Sequence, residues 1–243
     1  KRVRAIPEYA QMFEAAFDDI KTAQDLTIVQ IGNALGAFIN SEWESFDSPF
    51  DDYLTNNTPL PDAAQRGMEL FYGEANCASC HSGPLFTDQK FPALGLPAFG
   101  PGRTRRFDPM PRDVGRMGES DALEDAYRFR TPPLRNIALT APYGHNGAFP
   151  TLESMIQHHI NPKTSRSIWT RDMAKLPDAP WLQAIDFTIQ SDTREMKRQN
   201  RALDITPMIL TPSEISDLES FLHSLTGKSG NNRPLGRPAT VPS

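Results

Sequence analysis

The sequence contains little cysteine, few apolar residues and no excess of positive charge. Only two cysteines occur among 243 residues, too few for a disulfide-rich framework. Hydrophobic residues make up 38% of the chain, and no apolar run approaches the roughly 18 residues that span a bilayer, so we expect no membrane span. The formal net charge is -5, which argues against nucleic acid as a partner.

The start of the chain also lacks the apolar core of a signal peptide. Lys1, Arg2 and Arg4 lead into Pro7 and a polar helix instead. A mature exported chain, or a fragment of one, has this appearance, and we expect an exported protein.

Proline is abundant, at 22 residues, which favours short helices joined by long irregular loops. Apolar spacing and capping signals predict five helices: 7–17, 22–44, 63–72 capped by Asp62, a short helix from Pro150-Thr151 to Asn161-Pro162, and a C-terminal helix opened by the capping box Thr211–Glu214. We read 47–61 as a loop, 82–120 as a long surface loop, and the tail after Gly227 as extended. No segment shows a strand pattern, so the predicted fold is mostly α.

The two cysteines lie in the segment Cys77-Ala-Ser-Cys80-His81. Covalent attachment of haem c needs two thiols for the two vinyl groups and a neighbouring imidazole for the iron, and this spacing is typical of such sites. Three other uses of a Cys-x-x-Cys pair are a thioredoxin-type redox pair, half of a zinc site and a plain disulfide. The first expects a βαβ setting, the second a further ligand pair, and the third has no need of His81. We therefore predict one haem c held by Cys77, Cys80 and His81.

An electron-transfer haem usually takes a sixth ligand. On the helix that begins after Thr151, Leu152, Met155, Ile156 and His159 share one face. His159 is the first candidate, with Met155 in reserve; the alternative is that His159 is a core histidine with a backbone partner. His158 is rotated by about 100° from this face, and we expect it to point toward solvent.

A longer pattern surrounds the cysteine motif. The segment 129–147, FRTPPLRNIALTAPYGHNG, with Thr151-Leu-Glu after it, resembles the second half of bacterial di-haem cytochrome c peroxidases and MauG-like proteins. Four more segments are similar to that half: IPEYAQMFEAAF, PFDDYL at 49–54, SGPLFTD after the cysteine motif, and LTPSEISDLESFLHSLTG. The resemblance covers nearly the whole chain.

The resemblance implies a periplasmic cytochrome c-like haem domain with long Pro/Gly-rich loops, whose six-coordinate haem relays electrons to a peroxide-reactive haem. It implies a sixth ligand at the position of His159, which is methionine in typical peroxidases and tyrosine in MauG, so this chain resembles a bis-histidine variant. It further implies a calcium ion bound by the backbone carbonyls of Thr140 and Pro142; a simple proline-directed turn is the alternative.

Eight arginines and no lysine lie between residues 103 and 135, and arginine forks pair well with haem propionates. Arg135 is the first candidate to bind a propionate, because it lies in the segment that resembles the family. For each of the eight, the alternative is a solvated charge on a loop. They are Arg103, Arg105, Arg106, Arg112, Arg116, Arg128, Arg130 and Arg135.

Only one haem motif is present. We therefore predict that residues 1–60 form N-terminal helices that pack on a further haem domain or subunit, and that 61–243 form the haem domain. The expected partners are that second haem domain, a small electron donor or acceptor protein, and hydrogen peroxide indirectly. The other readings are a stand-alone mono-haem cytochrome and a non-catalytic haem subunit of a larger complex.

Overall fold

The computed structural model describes residues 1–100, 112–176 and 178–232. For residues 231 and 232 it describes the backbone alone. In these ranges the chain is helical and has no strands, only the isolated bridges Gly115–Arg128 and Tyr143–Phe149. The α-helices are α1 Pro7–Ala16, α2 Ile28–Glu42, α3 Pro49–Asn56, α4 Asp62–Tyr72, α5 Met117–Ser120, α6 Leu152–Ile160, α7 Pro162–Ile168, α8 Thr193–Arg201, α9 Pro212–Ser224 and α10 Lys228–Asn232. Short 3-10 helices lie at Val3–Ala5, Cys77–Ser79, Leu123–Asp125, Ile137–Leu139, Arg171–Met173 and Thr188–Ser191.

The chain forms two compact units. One comprises Lys1–Phe46 and the described residues after Gly227, and the other spans Asp47–Gly227. In the first unit the Arg4 Nε donates to the backbone oxygen of Leu26 over 2.7 Å, and the Gln30 amide donates to Asp19 over 2.9 Å. None of the helices in the described ranges is long and apolar enough to cross a membrane.

The second predicted helix begins six residues later than expected. Asp25 accepts hydrogen bonds from the backbone N–H groups of Lys21 and Thr22, which forms a turn where the helix was predicted. Thr27 and Gln30 then form a capping box that opens α2 at Ile28. The apolar spacing alone did not reveal this competing turn.

The predicted loop over 47–61 is wrong, because it contains α3. Ser48 accepts from the backbone N–H of Asp51, the Asp51 carboxylate accepts from the Ser48 N–H, and Pro49 occupies the first turn. This Ser-Pro-x-Asp order is a capping signal that the sequence does carry.

The core of the second unit is built on the packing of α4 against α9. Phe71 of α4 and Phe221 of α9 lie 5.1 Å apart between ring centroids, and Phe50 and Phe86 meet the same cluster. Gly67 permits this close approach, since a Cβ at that position would lie 1.9 Å from the backbone oxygen of Asp217. These helices support the cysteine motif that follows α4.

The long segment after the cysteine motif is irregular but is not a surface loop. Its Phe86, Ala93 and Phe99 side chains are buried, as is Val114 further on, and α5 lies within it. The prediction is therefore wrong in placing it at the surface; residues 101–111 lie outside the described part of the chain.

The later helices are partly as predicted. α6 and α9 begin after Thr151 and Thr211, which cap them through Ser154 and Glu214, so both predictions are confirmed. α7 and α8 were not predicted, because they are polar and carry no apolar period. The extended tail is wrong for Lys228–Asn232, which form α10, and residues 233–243 lie outside the described ranges.

Candidate haem site

The cysteine motif forms one tight turn directly after α4. Cys77–Ser79 is a single 3-10 turn preceded by Asn76 in the left-handed conformation, at φ 51°. The His81 N–H donates to the backbone oxygen of Cys77 over 2.9 Å, so the two thiols and the imidazole come from the same turn. The cysteines are not joined in a disulfide, and burial raises the pKa of Cys77 to about 11.

His81 is held in a defined orientation by its own loop. Its Nδ1 lies 3.0 Å from the backbone oxygen of Phe86, and the backbone of Pro132 is a weaker second partner of the ring. Burial, with a smaller contribution from His159, lowers the pKa of His81 to about 4. The ring is therefore neutral near pH 7, which is the form that ligates metals.

His159 meets the same requirements from α6. Its Nδ1 lies 2.9 Å from the backbone oxygen of Met155, one helical turn earlier, and among the described residues its Nε2 has no hydrogen-bond partner. Burial lowers the pKa of this imidazole as well. A ligating histidine commonly uses its second nitrogen on a backbone carbonyl in this way, which fixes the ring and its tautomer.

The structure brings His81 and His159 together across 78 residues of sequence. Their ring centroids lie 6.3 Å apart, with 61° between the planes. Two bonds of about 2 Å from imidazole nitrogens to one metal, with the ring radii added, separate ring centres by roughly 6 Å. The donor set of two thiols on one turn and two neutral imidazoles at this spacing fits a covalently attached haem with an iron between the rings. Met155 is half-buried and packs against the core one turn before His159.

The expectation that His158 points toward solvent is wrong. The side chain is completely buried, with Nδ1 3.2 Å from the Ser165 hydroxyl and Nε2 2.9 Å from the backbone oxygen of Leu94. Its ring also lies 4.8 Å from that of Phe149. Burial lowers the pKa of His158 to about 3. A helical wheel of α6 alone could not show that α7 and the 94–96 segment cover this face.

The fork of Arg135 is engaged by a carboxylate of the protein. Its two terminal nitrogens lie 2.9 and 3.0 Å from the two oxygens of Asp51, and its Nε donates to the backbone oxygen of Pro84. The guanidinium also lies 5.9 Å from the centre of the Phe86 ring. A haem propionate on Arg135 stays a prediction, and it would have to share this fork with Asp51.

The other arginines of the cluster pair with groups of the protein where the structure describes them. Arg103, Arg105 and Arg106 lie outside the described residues, and Arg130 donates to the Gln89 side chain over 2.7 Å. Three others form ion pairs: Arg112 with Glu195, Arg116 with Asp125, and Arg128 with Asp204.

The predicted calcium ligands Thr140 and Pro142 are exposed and follow the 3-10 helix Ile137–Leu139. The Thr140 hydroxyl donates to the backbone oxygen of Ile137 over 3.0 Å. Within the described ranges, no cluster of three or more His, Cys, Asp or Glu side chains could hold a metal ion. A calcium site built from backbone carbonyls stays a prediction.

His145 forms a pair that the sequence reasoning missed. Its Nε2 lies 2.8 Å from Asp113, and its ring stacks on Phe129 with centroids 3.9 Å apart. The hydrogen bond from His145 is the main reason that the pKa of Asp113 is lowered. Because Asp113 comes from an irregular segment, no periodic pattern could have revealed this contact.

The helical fold, with its two thiols and two facing imidazoles, is that of a cytochrome c-like domain. The family model of di-haem cytochrome c peroxidases matches residues 1–59. Cytochrome-c peroxidase IdrP2 of Pseudomonas sp. (strain SCT) is 36% identical over 174 residues, 64% of this chain and 46% of that protein. Methylamine utilization protein MauG of Methylorubrum extorquens is 32% identical over 163 residues, 66% of this chain and 42% of that protein.

Solved structures agree in fold. The diheme peroxidase BthA from Burkholderia thailandensis E264 matches with a TM-score of 0.57 at 25% identity, over 85% of this chain and 53% of that one. A MauG-like protein associated with microbial copper homeostasis matches with a TM-score of 0.53 at 31% identity, over 76% of this chain and 53% of that one. Methylamine utilization protein MauG of Methylophilus methylotrophus is 30% identical over 177 residues, 72% of this chain and 48% of that protein, so the chain belongs to the di-haem cytochrome c peroxidase and MauG family. It spans less than half the length of the three curated relatives named above.

Proposed function

We propose that this chain is the electron-transfer half of a di-haem peroxidase or MauG-like oxidoreductase. In this proposal Cys77 and Cys80 carry one haem c, and His81 and His159 are its axial ligands, with Met155 in reserve. The observation that carries the proposal is the pair of neutral imidazoles with ring centroids 6.3 Å apart, each with its Nδ1 on a backbone carbonyl.

The residues of this chain act by holding and shielding the haem. When bound, the haem supplies a reversible one-electron ferric/ferrous couple. His81 and His159 would both bind the haem iron, which would leave peroxide no coordination site there. The carbonyls of Phe86 and Met155 keep both Nε2 atoms unprotonated and orient the rings. The catalytic group for peroxide therefore lies on a second haem domain or partner subunit.

The proposed partners follow from the assignment of electron transfer to this chain and of peroxide chemistry to a second haem domain. The N-terminal helices, within residues 1–60, would pack on the second haem domain. Exposed apolar side chains on and just after α2 support this: Leu35, Phe38, Ile39 and Trp43 are each at least 42% exposed. Packing on a partner would remove this surface from water. A periplasmic or otherwise exported location is part of the proposal, as is a calcium ion at Thr140 and Pro142.

A count of haem per chain is the first test. The purified holoprotein, measured by intact mass and by the pyridine haemochrome spectrum, should contain one haem and no free thiol. Free reaction of both cysteines with an alkylating reagent would rule the proposal out.

A second assay separates this proposal from a stand-alone mono-haem cytochrome. Peroxide-driven oxidation of a reduced cytochrome c is measured with this chain alone and with its complex with the second haem domain. Turnover by the complex only is expected. Absence of turnover in both samples would favour the stand-alone cytochrome.

A further inference from the structure

The strongest unexplained feature outside the candidate haem site is the charge of α8. Four of its nine residues are basic, although the chain as a whole has 30 acidic and 25 basic residues. The basic residues are spaced at i, i+3, i+4 and i+7 and are all exposed, so they form one continuous row on the helix surface. We call this row the basic stripe; it consists of Arg194, Lys197, Arg198 and Arg201.

The stripe is only partly balanced by its own helix, through Arg198. The only acidic residue within α8 is Glu195, which is 1% exposed and faces inward to pair with Arg112 and Arg198. Among the described residues, no ion pair is formed by Arg194, Lys197 or Arg201. Asp192 lies at the N-cap, where its carboxylate accepts from the N–H groups of Arg194 and Glu195.

This arrangement works against the helix that carries it. Like charges at i,i+4 destabilise a helix by roughly 0.2–0.5 kcal/mol per pair. Two such pairs occur here, Arg194 with Arg198 and Lys197 with Arg201. An ordinary solvated helix face mixes both signs of charge and avoids this penalty. Arg198 and Arg201 lie in the last turn, where the helix dipole favours cations, but Arg194 and Lys197 do not. A row with more positive charge than its own helix compensates points to a partner outside the fold.

The position of α8 connects the stripe to the candidate haem site. Arg166 of α7 donates to the side chains of Asn200 and Gln199 of α8, over 2.8 and 3.0 Å. The neighbouring Ser165 contacts His158, which precedes His159 in α6. A chain of side-chain contacts, through Arg166 and the adjacent Ser165, therefore links α8 to the helix that carries the proposed sixth ligand.

We propose that the basic stripe is the docking surface for an acidic electron-carrier protein. This inference rests on the proposed electron-transfer function. Opposite charge would steer the carrier to this face and speed its encounter, as electrostatic complementarity does for transient complexes. A membrane surface fits less well, because the other face of α8 presents the buried polar residues Glu195 and Gln199 and no apolar row for insertion. Nucleic acid would be repelled by the net charge of -5.

A plant-type [2Fe–2S] ferredoxin is a suitable probe, since it is acidic and its potential is about −400 mV. In the reaction the reduced cluster loses one electron and the haem iron gains it, with no bond made or broken. Stopped-flow reduction of the ferric holoprotein gives the second-order rate constant. Titration with oxidised ferredoxin gives the affinity, a readout that does not depend on the haem.

Charge reversal on the stripe is compared with the same reversal elsewhere. Lys197→Glu and Arg201→Glu should each lower the rate constant and the affinity at low ionic strength by about fivefold or more. Lys21→Glu, in the other compact unit, changes net charge equally and should have less than a twofold effect. The difference should fade at high salt, where the screening length falls to about 3 Å at 1 M. Reduction by a small neutral flavin semiquinone should be unchanged in all variants.

Equal effects of Lys197→Glu and Lys21→Glu would overturn the docking proposal while leaving the haem proposal intact. The docking proposal would also be overturned if the chain bound duplex DNA or anionic vesicles tightly at physiological salt and Lys197→Glu abolished that binding. The stripe would then bind another polyanion. Failure of the proposed function is seen separately, as a sample without a low-spin haem spectrum.

Discussion

At the scale of single residues, the two adjacent histidines of α6 have different tasks. His159 has one ring nitrogen free toward His81, whereas both nitrogens of His158 are engaged by Ser165 and Leu94. The difference lies in what surrounds each ring rather than in the residue type. The hydrogen bonds of His158 connect α6 to α7 and to Leu94, and they fix the position of α6 and therefore of His159.

The buried state of His158 predicts an acid sensitivity. Its pKa is about 3 in the folded chain, below the value of about 6.5 for an unfolded histidine. As the pH falls below about 6.5 the unfolded chain gains a proton that the folded chain does not, so stability is lost at up to roughly 1.4 kcal/mol per pH unit down to about pH 3. Urea unfolding between pH 7 and pH 4 should show this slope reduced in His158→Gln. His223→Gln, at an exposed position, serves as the control, and an unchanged slope in His158→Gln would contradict the assignment.

The Arg135–Asp51 pair is also a residue-scale anchor. The two side chains are 10% and 12% exposed, and Arg135 also holds Pro84 near the loop that orients His81. Arg135→Ala leaves Asp51 without its cation and should cost about 3 kcal/mol in the free energy of unfolding. Arg116→Ala removes a more exposed pair with Asp125 and should cost about 1 kcal/mol or less. Chemical denaturation of both variants makes the comparison, and similar losses would argue against an anchoring role.

At the scale of helices, one glycine in α4 and one in α2 test whether close packing of α4 against α9 determines stability. A Cβ at Gly67 of α4 would lie 1.9 Å from the backbone oxygen of Asp217 in α9, whereas a Cβ at Gly36 of α2 would meet nothing within 4 Å. Gly67→Ala should therefore destabilise the chain by about 3 kcal/mol through overpacking. Gly36→Ala should stabilise it by about 0.5–1 kcal/mol through helix propensity. Thermal unfolding of the two variants measures the loss and the gain in stability. A Gly67→Ala protein as stable as the wild type would show that α4 and α9 pack less closely.

The helices also show what sequence reasoning could reach. The capping box Thr211–Glu214 predicted α9 and the Pro150-Thr151 start predicted α6, because a helix start is a local pattern. α3 has the same signal at Ser48, but the prolines around it suggested a loop. α8 has no apolar period, since its inner face is polar. The buried partners of His158 and Arg135 come from distant segments, which no local pattern reveals.

At the scale of the whole molecule, the chain spans less than half the length of its relatives IdrP2 and MauG, and α2 presents exposed apolar side chains. We expect Leu35→Glu combined with Phe38→Glu to weaken association with the second haem domain at least tenfold, because two side chains at least 50% exposed would no longer gain from burial. Asn33→Glu with Asn40→Glu adds the same charge to the opposite side of α2 and should leave the affinity within twofold. Analytical ultracentrifugation of the mixed domains measures both. Equal weakening by both variants would indicate a charge effect and not an apolar interface.

The central claim is that one haem iron is bound by imidazole from both His81 and His159. The most direct measurement is the EPR spectrum of the ferric holoprotein, before and after substitution of His159. We predict a low-spin signal in the wild type, a high-spin signal in His159→Gly, and a low-spin signal with a higher midpoint potential in His159→Met, since a thioether favours ferrous iron. His158→Gln should stay low-spin. A His159→Gly protein that kept the wild-type low-spin spectrum would contradict the claim.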